Sequence, residues 1–337
     1  MTTIHSGNLS GQDTVEQYIH EYANLEQVRM MTAWLEKHRP GTFSFTGLVD
    51  PEDATVITPQ ATVDYGYCWF SLSGGPAIVR TPGYRYFFSV SVFDMRHNVP
   101  AVVAHPTKPL LLVRPGQSIP DGDFEIVELE TDQGLVFTRM LVVDNLAEAE
   151  GLRPAITMEG GVGDMHRPVA RFSPAVETSA RAIIAAAIPH IDPGTAFGRR
   201  STDTGDITRA AAVMLGQLGT PSDTVRYQPI LADDDGAPLN GTDTYEVTVP
   251  AGIVRDDGYF SVTVYGADNK LLIPNAQRVY DRTSYTTELE ADGTAVITLS
   301  PAGGGRNGIP TGKPFYGILR AYQPVPGAPL RPTVRRR

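Results

Sequence analysis

YRYFFSVSVFD at residues 84–94 and DGYFSVTVYGAD at residues 257–268 are the two stretches that decide the fold. In the first stretch Phe88, Val90 and Val92 point to one side of a strand, and the serines between them point to the other. The same alternation recurs in the second stretch, at Phe260, Val262 and Val264. The two stretches therefore predict corresponding core strands in two related halves of one all-β protein.

Short segments with a period of two lie on both sides of these stretches. Seven or more of them fall between residues 43 and 145, and the same period returns after about residue 224. Residues 131–134 and 291–293 predict hairpin loops. The chain has 33 glycines and 27 prolines among 337 residues, which favours many turns over long helices. The pattern predicts two tandem, mainly antiparallel, jelly-roll-like β-sandwich domains.

Two other regions have helical periodicity. Residues 13–38 carry apolar residues at steps of three and four, and Asp13 with Glu16 resembles a capping box. Ser173 and Asp206 open two further predicted helices, which follow a glycine-rich loop. The predicted organisation is an N-terminal helical segment (1–40), a first β-sandwich (41–150), a glycine-rich loop with a helical connector (151–222) and a second β-sandwich (223–337).

Charge and composition narrow the class of protein. A net charge of −10 argues against a nucleic-acid partner, and the basic cluster at residues 335–337 is predicted to be a solvated, frayed tail. Cys68 is the only cysteine, so no internal disulfide can form, and its apolar neighbours predict a buried, inert thiol. No segment approaches the ~20 apolar residues of a membrane span, and residues 1–13 lack a secretory signal. We expect a cytoplasmic protein with neither a membrane partner nor a cofactor.

Polar residues that could carry chemistry concentrate at three places beside predicted strand ends: 64–69, 92–98 and 273–285. Arginine forks beside aromatic rings and carboxylates suit a pocket for an anionic or hydroxylated ligand. We predict that Asp94 and His97 exchange protons. The predicted ligand-binding residues are Tyr65, Tyr67, Arg96, Asn275, Arg278, Asp281, Arg282 and Tyr285. An Arg–Asp network that joins loops or subunits explains the same residues equally well.

Metal and nucleophile motifs are weak in this sequence. His97 and His105 flank a predicted strand close to Asp94, and such a set could bind a metal if the fold brought the three together. Tight ligand spacings such as HxH or HExxH are absent, so no metal is predicted. The sequence also lacks a G-x-S-x-G elbow, and the acidic run at residues 233–236 lacks the spacing of a calcium loop.

Five blocks of the sequence resemble, in family order, a bacterial family that pairs the domain of unknown function twelve fifty-four with the domain of unknown function twelve fourteen. The blocks are YANLEQVRMMTAW (22–34), TPQATVDYGYCWFSLSGGPAIVRTP (58–82), RYFFSVSVFDMRHN (85–98), DGYFSVTVYGADNKLLIPNAQRVYDRT (257–283) and GKPFYGILRAYQP (312–324). The resemblance implies two tandem antiparallel sandwiches of jelly-roll type that tend to form oligomers. It implies no catalytic residue, because no activity is settled for the family.

One block departs from the family pattern. The usual PNPLNRYS-like block appears here as IPNAQRVYDRTS, in which Asn275 and Arg278 remain while neighbouring positions differ. If this block lines a ligand site, the departure implies a ligand other than the typical one.

Two functions fit these observations. The first is an enzyme of lyase, hydrolase or isomerase type that acts on a small polar or anionic metabolite, with Arg278 and Arg282 holding its anionic group. The second is a non-catalytic ligand-binding or structural homo-oligomer, in which the same arginines lie at interfaces. The sequence leaves both hypotheses open.

Overall fold

The computed structural model describes residues 13–52, 58–192 and 194–337, and the strands of its first half form one β-sandwich. These strands are β1 (Ser44–Phe45), β2 (Val63–Ser71), β3 (Ala77–Arg80), β4 (Phe88–Asp94), β5 (Ala101–Ala104), β6 (Leu110–Val113), β7 (Glu125–Glu128), β8 (Gln133–Leu141) and β9 (Thr157–Glu159). Sheet 1 has the order β1-β2-β8-β4-β5, and sheet 2 has the order β7-β6-β3-β9. Cys68, Val90 and Leu112 are fully buried between the two sheets.

The strands of the second half form another sandwich. They are β10 (Val225–Ile230), β11 (Tyr245–Val249), β12 (Val254–Gly266), β13 (Asp281–Thr283), β14 (Ala295–Ser300), β15 (Ile309–Pro310), β16 (Phe315–Pro324) and β17 (Thr333–Arg336). Sheet 3 has the order β10-β16-β12-β13, and sheet 4 has the order β15-β14-β11-β17. Val247, Val262 and Leu319 lie in the core between them. The mainly antiparallel, two-sandwich architecture predicted from the alternation is confirmed, and the jelly-roll assignment stays a prediction.

The central strands of sheets 1 and 3 pair in the same register. Arg139 on β8 lies opposite Tyr65 on β2 and Ser89 on β4. The equivalent set on β16, β10 and β12 is Arg320, Tyr227 and Ser261. This residue-by-residue correspondence supports the interpretation of the two halves as duplicates, and it places a buried arginine at the same position in each half.

Four helices complete the described fold: α1 (Val15–Leu35), α2 (Leu146–Leu152), α3 (Pro174–Ala187) and α4 (Asp206–Leu215). The first turns of α1 pack against α3 and α4, whereas Met31 and Trp34 near its C-terminal end pack on the outer face of sheet 1 against Trp69. The rest of that face meets the outer face of sheet 3, where Val63 and Tyr322 belong to one cluster. Sheets 1 and 3 are therefore buried on both faces.

Both helix starts in the connector were predicted correctly, but the cap of α1 was not. The N-cap of α1 is Thr14, whose Oγ1 accepts a hydrogen bond from the Gln17 backbone N–H at 3.2 Å. The Asp13 carboxylate instead accepts bonds from the backbone N–H of Ser173, at the start of α3. A capping box forms between residues three positions apart, so it can be predicted from local sequence. The bonds between Asp13 and Ser173 form only when α1 and α3 pack together.

Two further predictions differ from the structure. Residues 131–134 do not join a hairpin, because β7 pairs with β6 in sheet 2 and β8 crosses to sheet 1. The C-terminal arginines are not a frayed tail: β17 pairs with β11, and Arg336 lies 2.8 Å from the Asp243 carboxylate. A turn does form at 291–293, where Leu289 and Ala295 make a single bridge.

No helix within the described ranges is long and apolar enough to cross a membrane. The cytoplasmic location stays a prediction.

Candidate functional site

Asp94, one of the two residues predicted to exchange protons, is the last residue of β4. Its carboxylate accepts hydrogen bonds from the loop that follows. Oδ1 accepts hydrogen bonds from the backbone N–H groups of Arg96 at 2.8 Å and Asn98 at 2.9 Å, and Oδ2 accepts one from Asn98 Nδ2 at 2.8 Å. Burial raises the pKa of Asp94, although these bonds act in the opposite direction. The geometry gives Asp94 a structural role in shaping the loop.

His97, the second predicted proton carrier, is buried in the same loop with a positive φ of 61°. Its ring lies between Phe93 and Phe197, with centroids 5.3 Å away on each side. Nε2 accepts a hydrogen bond from the Leu218 backbone N–H at 2.9 Å, and burial lowers the pKa of His97 to about 4. The imidazole is therefore neutral at pH 7 and anchors the chain that follows α4.

Arg96, by contrast, points out of this loop and is exposed. Together with His20, Asn24 and Arg209 it lines a small cleft of about 10 Å³ beside α1. No described carboxylate lies within ion-pair distance of the Arg96 guanidinium. Glu21 lines the same cleft, but its carboxylate accepts a bond from Asn24.

A larger, open cleft of about 350 Å³ adjoins the first one between the starts of α1 and α4. It is lined by Thr14, Glu16, Gln17, His20 and Asp206. Since His20 lines both clefts, we call them together the α1 groove. The groove is the place where Arg96 and a solvent-accessible histidine come together.

His20 is held in a defined orientation within the α1 groove. Its Nδ1 lies 2.8 Å from Asp206 Oδ2, and the two side chains are 47% and 44% exposed. Asp206 Oδ1 lies 3.6 Å from Arg209, which is itself fixed by bonds to the carbonyls of Ser201 and Thr204. A carboxylate at Nδ1 favours the tautomer that carries its proton there, so Nε2 is the ring nitrogen available as a base.

The predicted ligand-binding loop before β13 lies in the second sandwich. It too is stabilised by hydrogen bonds between its own residues. Asn275 donates to the carbonyls of Ile273 and Val279 and accepts from the Val279 backbone N–H. Arg278 is exposed with a φ of 53°, and Arg282 donates to the carbonyl of Gly308. The structure does not bring these three side chains to Asp94 or His97.

The remaining predicted residues lie around the junction of the two sandwiches. Asp281 Oδ2 accepts a hydrogen bond from Thr62 of the first half at 2.8 Å, and burial raises the pKa of Asp281 to about 6. Tyr285 packs edge-on against Tyr86 of the first half, with centroids 5.3 Å apart. Tyr65 stacks on Phe137 at the same junction, and Tyr67 contacts Phe137 from the other side, toward α1. The predicted residues thus lie in three separate places: the loop after β4, the loop before β13 and the region around the junction of the two sandwiches.

His97, His105 and Asp94 do not converge on a metal. His105 Nε2 bonds to the carbonyl of Asp257, and His97 is bound to Leu218. In the ranges that the structure describes, no group of three histidine, cysteine, aspartate or glutamate side chains could hold a metal ion.

Sequence reasoning missed His20, Asp206 and Arg209. His20 lies within a helical pattern that by itself predicts only a packing role, and Asp206 is 186 residues away in the sequence. The sequence offers one local signal: His20 and Asp206 each fall in the first turns of a predicted helix. This signal does not show that the starts of the two helices meet.

Comparisons with known proteins support the fold and leave the activity open. Residues 40–159 match the model of a protein of unknown function (DUF1254), and residues 225–326 match that of another (DUF1214). No curated protein matches the chain. The crystal structure of the VPA0106 protein from Vibrio parahaemolyticus is similar, with a TM-score of 0.79 and 20% identity over 96% of this chain and 98% of that one. A putative uncharacterized protein from Burkholderia cenocepacia gives a TM-score of 0.52 at 14% identity, over 96% and 88%.

Proposed function

The chain belongs to the proteins that join a DUF1254 domain to a DUF1214 domain, and from that premise we propose that it is an enzyme acting on a small anionic metabolite in the α1 groove. The observation that carries this proposal is His20, which is oriented through Nδ1 by Asp206 and whose Nε2 has no partner among the described residues. A histidine oriented in this way suits general acid–base chemistry.

Arg96 supplies the ligand-binding part of the proposal. Its guanidinium is exposed, and the backbone around it is fixed by the three bonds to Asp94. Among the other charged groups of the groove, Glu21 accepts a bond from Asn24 and Asp206 contacts both His20 and Arg209, whereas Glu16 is exposed at the rim and has no partner among the described residues. Arg96 is therefore the cation available to a carboxylate or phosphate group, which arginine binds through paired N–H donors.

The proposed roles are different from those predicted by sequence. His20 exchanges the proton and Arg96 holds the anionic group, while Asp94 and His97 fix the loop that presents Arg96. A proton transfer next to a bound anionic group is a step common to lyases, isomerases and hydrolases, so the class of reaction remains the broad one predicted from the sequence.

A screen of small carboxylates and phosphate esters by thermal shift is expected to find a stabilising ligand whose effect depends on Arg96. Arg96→Gln should raise the Kd of that ligand about tenfold or more, since a charged hydrogen bond contributes about 1.5–3 kcal/mol. Arg278→Gln is the matched control, because Arg278 is also exposed but lies in the second sandwich. If Arg278→Gln abolished the stabilisation and Arg96→Gln did not, the site would lie in the loop before β13.

Once such a ligand is found, His20→Gln should slow its conversion by about 10²- to 10⁴-fold and change its Kd by no more than a few-fold. Asp206→Asn should have a smaller effect, because it disturbs the orientation of His20 but leaves the imidazole in place. Conversion is followed by NMR of the ligand with each purified variant. Full turnover by His20→Gln would exclude the proposed role.

The second candidate function is a non-catalytic homo-oligomer. It is favoured by Ile126, which is 52% exposed on β7, an edge strand of sheet 2. Exposed apolar side chains on an unpaired edge suit association between copies. If the screen finds no stabilising ligand and light scattering shows an oligomer that persists at high salt, this candidate replaces the enzyme.

A further inference from the structure

The two clefts of the α1 groove differ in the charges that line them. The larger cleft is lined by two carboxylates, those of Glu16 and Asp206, and by no described lysine or arginine. The small cleft is lined by two guanidinium groups, those of Arg96 and Arg209, and by one carboxylate, that of Glu21. The groove therefore has an acidic end and a basic end.

Most of these charged groups are compensated within the groove. Asp206 lies 2.8 Å from His20 Nδ1 and 3.6 Å from Arg209, so its carboxylate has both a hydrogen-bond partner and a neighbouring cation. The Glu21 carboxylate accepts a hydrogen bond from Asn24 at 3.1 Å. These groups shape the walls of the groove, and a ligand would have to displace existing contacts to pair with them.

Glu16 and Arg96 are the two charged groups left over. Both side chains are exposed, and neither has a hydrogen-bond or ion-pair partner among the residues that the structure describes. Glu16 lines only the larger cleft, and Arg96 lines only the small one. One unpaired anion and one unpaired cation at opposite ends of a groove are complementary to a ligand that carries both charges.

The spacing of these charges limits the kind of ligand. Glu16, His20 and Asn24 follow one another at steps of four, so they lie along one face of α1. An α-helix rises 1.5 Å per residue, which places Glu16 and Asn24 about 12 Å apart along the axis. Because Arg96 lines the cleft beside Asn24, a ligand that reaches both charges needs several bonds between them. An α-amino acid, whose ammonium and carboxylate share one carbon, is too short.

The size of each cleft indicates which end of the ligand it receives. The small cleft of about 10 Å³ has room for about one water-sized group, which fits a single oxygen of a planar carboxylate better than a phosphate group. The larger cleft of about 350 Å³ is open and can hold an alkyl chain with its ammonium group. Gln17 lines this larger cleft beside Glu16 and offers a neutral amide oxygen as a further acceptor for ammonium protons.

We propose that the ligand of the α1 groove is an ω-amino carboxylate, an unbranched chain whose carboxylate binds Arg96 and whose ammonium binds Glu16. The middle of the chain then lies beside His20, which lines both clefts. This inference rests on the proposed function, since it takes the α1 groove as the ligand site. It adds the class of the ligand and identifies Glu16 as the residue that determines specificity for a cationic end.

Three ligands with the same five-carbon chain test the proposal. They are valerate, δ-aminovalerate, which adds an ammonium group at the far end, and glutarate, which adds a carboxylate there. We expect δ-aminovalerate to bind the wild-type protein about fivefold more tightly than valerate does, the effect of a well-formed exposed ion pair. Glutarate should bind more weakly than valerate, because its second carboxylate meets Glu16. NMR titration of the protein at constant pH and ionic strength measures each Kd.

Glu16→Gln removes the charge and keeps the size of the side chain, so it should remove the differences among the three Kd values without weakening the binding of valerate. Glu36→Gln is the matched control. Glu36 is also exposed and without a described partner, but it lies at the opposite end of α1 and its replacement should preserve the wild-type order. Glycine and acetate form a second control pair, in which glycine should gain nothing over acetate because its two charges are too close together.

The proposal is overturned if the three five-carbon ligands bind the wild-type protein equally, or if Glu16→Gln retains the preference for δ-aminovalerate. Binding that still depends on Arg96 would in either case leave the proposed function intact. If instead Arg96→Gln left the Kd of valerate unchanged, the ligand site of the proposed function would itself be wrong. Failure of the ligand class and failure of the site can therefore be told apart.

Discussion

Replacing Asp94 with alanine is expected to lower the free energy of unfolding by about 2–4 kcal/mol, because the backbone N–H groups of Arg96 and Asn98 lose their acceptor and each unsatisfied donor costs about 1–3 kcal/mol. The Asn98 side-chain amide also loses its bond to Asp94 but keeps Glu130 and Ser201 as acceptors. Urea unfolding followed by circular dichroism measures the loss. Asp94→Asn should lose less, since an amide oxygen can still accept the two backbone bonds.

Asp268→Ala is the matched control for this result. Asp268 follows β12 in the corresponding turn of the second half, but it is exposed and forms a surface ion pair with Lys313. We expect little change in stability for this variant, as for most surface ion pairs. If Asp94→Ala kept the wild-type stability and abolished turnover of an identified ligand, Asp94 would be a catalytic residue as the sequence predicted.

Asp281→Asn is expected to stabilise the protein by up to about 3 kcal/mol at pH 7.5. Burial raises the pKa of this carboxyl from 3.8 to about 6, and each pKa unit corresponds to about 1.4 kcal/mol of difference between the two protonation states. The folded state therefore holds the proton more tightly than the unfolded state does. Asparagine can still accept the bond from Thr62, and it has no charge to desolvate.

The pH dependence follows from the sign of that shift. Between about pH 4 and pH 6 the folded form binds more protons at Asp281, so its contribution to stability falls as the pH rises through this window and is constant above it. Chemical unfolding at several pH values should show this decline in the wild type and its loss in Asp281→Asn. Asp243→Asn serves as a control of opposite sign, since hydrogen bonding to Asn240, together with Arg336, lowers the pKa of Asp243. If the stability of Asp281→Asn depended on pH in the same way as that of the wild type, the result would show that burial does not raise the pKa of Asp281.

Much of the fold follows from local periodicity. The alternation around Val90 and Val262 identified strands that pack in the two sandwich cores, and the cap at Ser173 and the helical pattern from Asp206 marked where α3 and α4 begin. These features depend on residues within a few positions of one another, so the sequence carries them directly.

The candidate site was predicted only in part. Arg96 was identified because it sits in a polar loop after a core strand, and the structure places it in the α1 groove. His20, which lines the same groove, was not identified, because its pairing with Asp206 joins two helices that are distant in the sequence. Asp94 and His97 have the side chains of catalytic residues, but their hydrogen bonds are directed inward, which a sequence cannot reveal.

The sequence by itself determined that this protein is two related β-sandwiches with a helical layer, because side-chain alternation is a property of neighbouring residues. Tertiary structure alone decided that β7 and β8 lie in different sheets and that sheets 1 and 3 are covered on both faces. It also decided that Arg139 and Arg320 are buried with no carboxylate within 4.0 Å among the described residues, and that Asp281 is buried beside Thr62, from which it accepts a hydrogen bond. The reason is physical: burial, charge compensation and proton affinity depend on which distant surfaces come into contact, and that is settled only when the whole chain has folded.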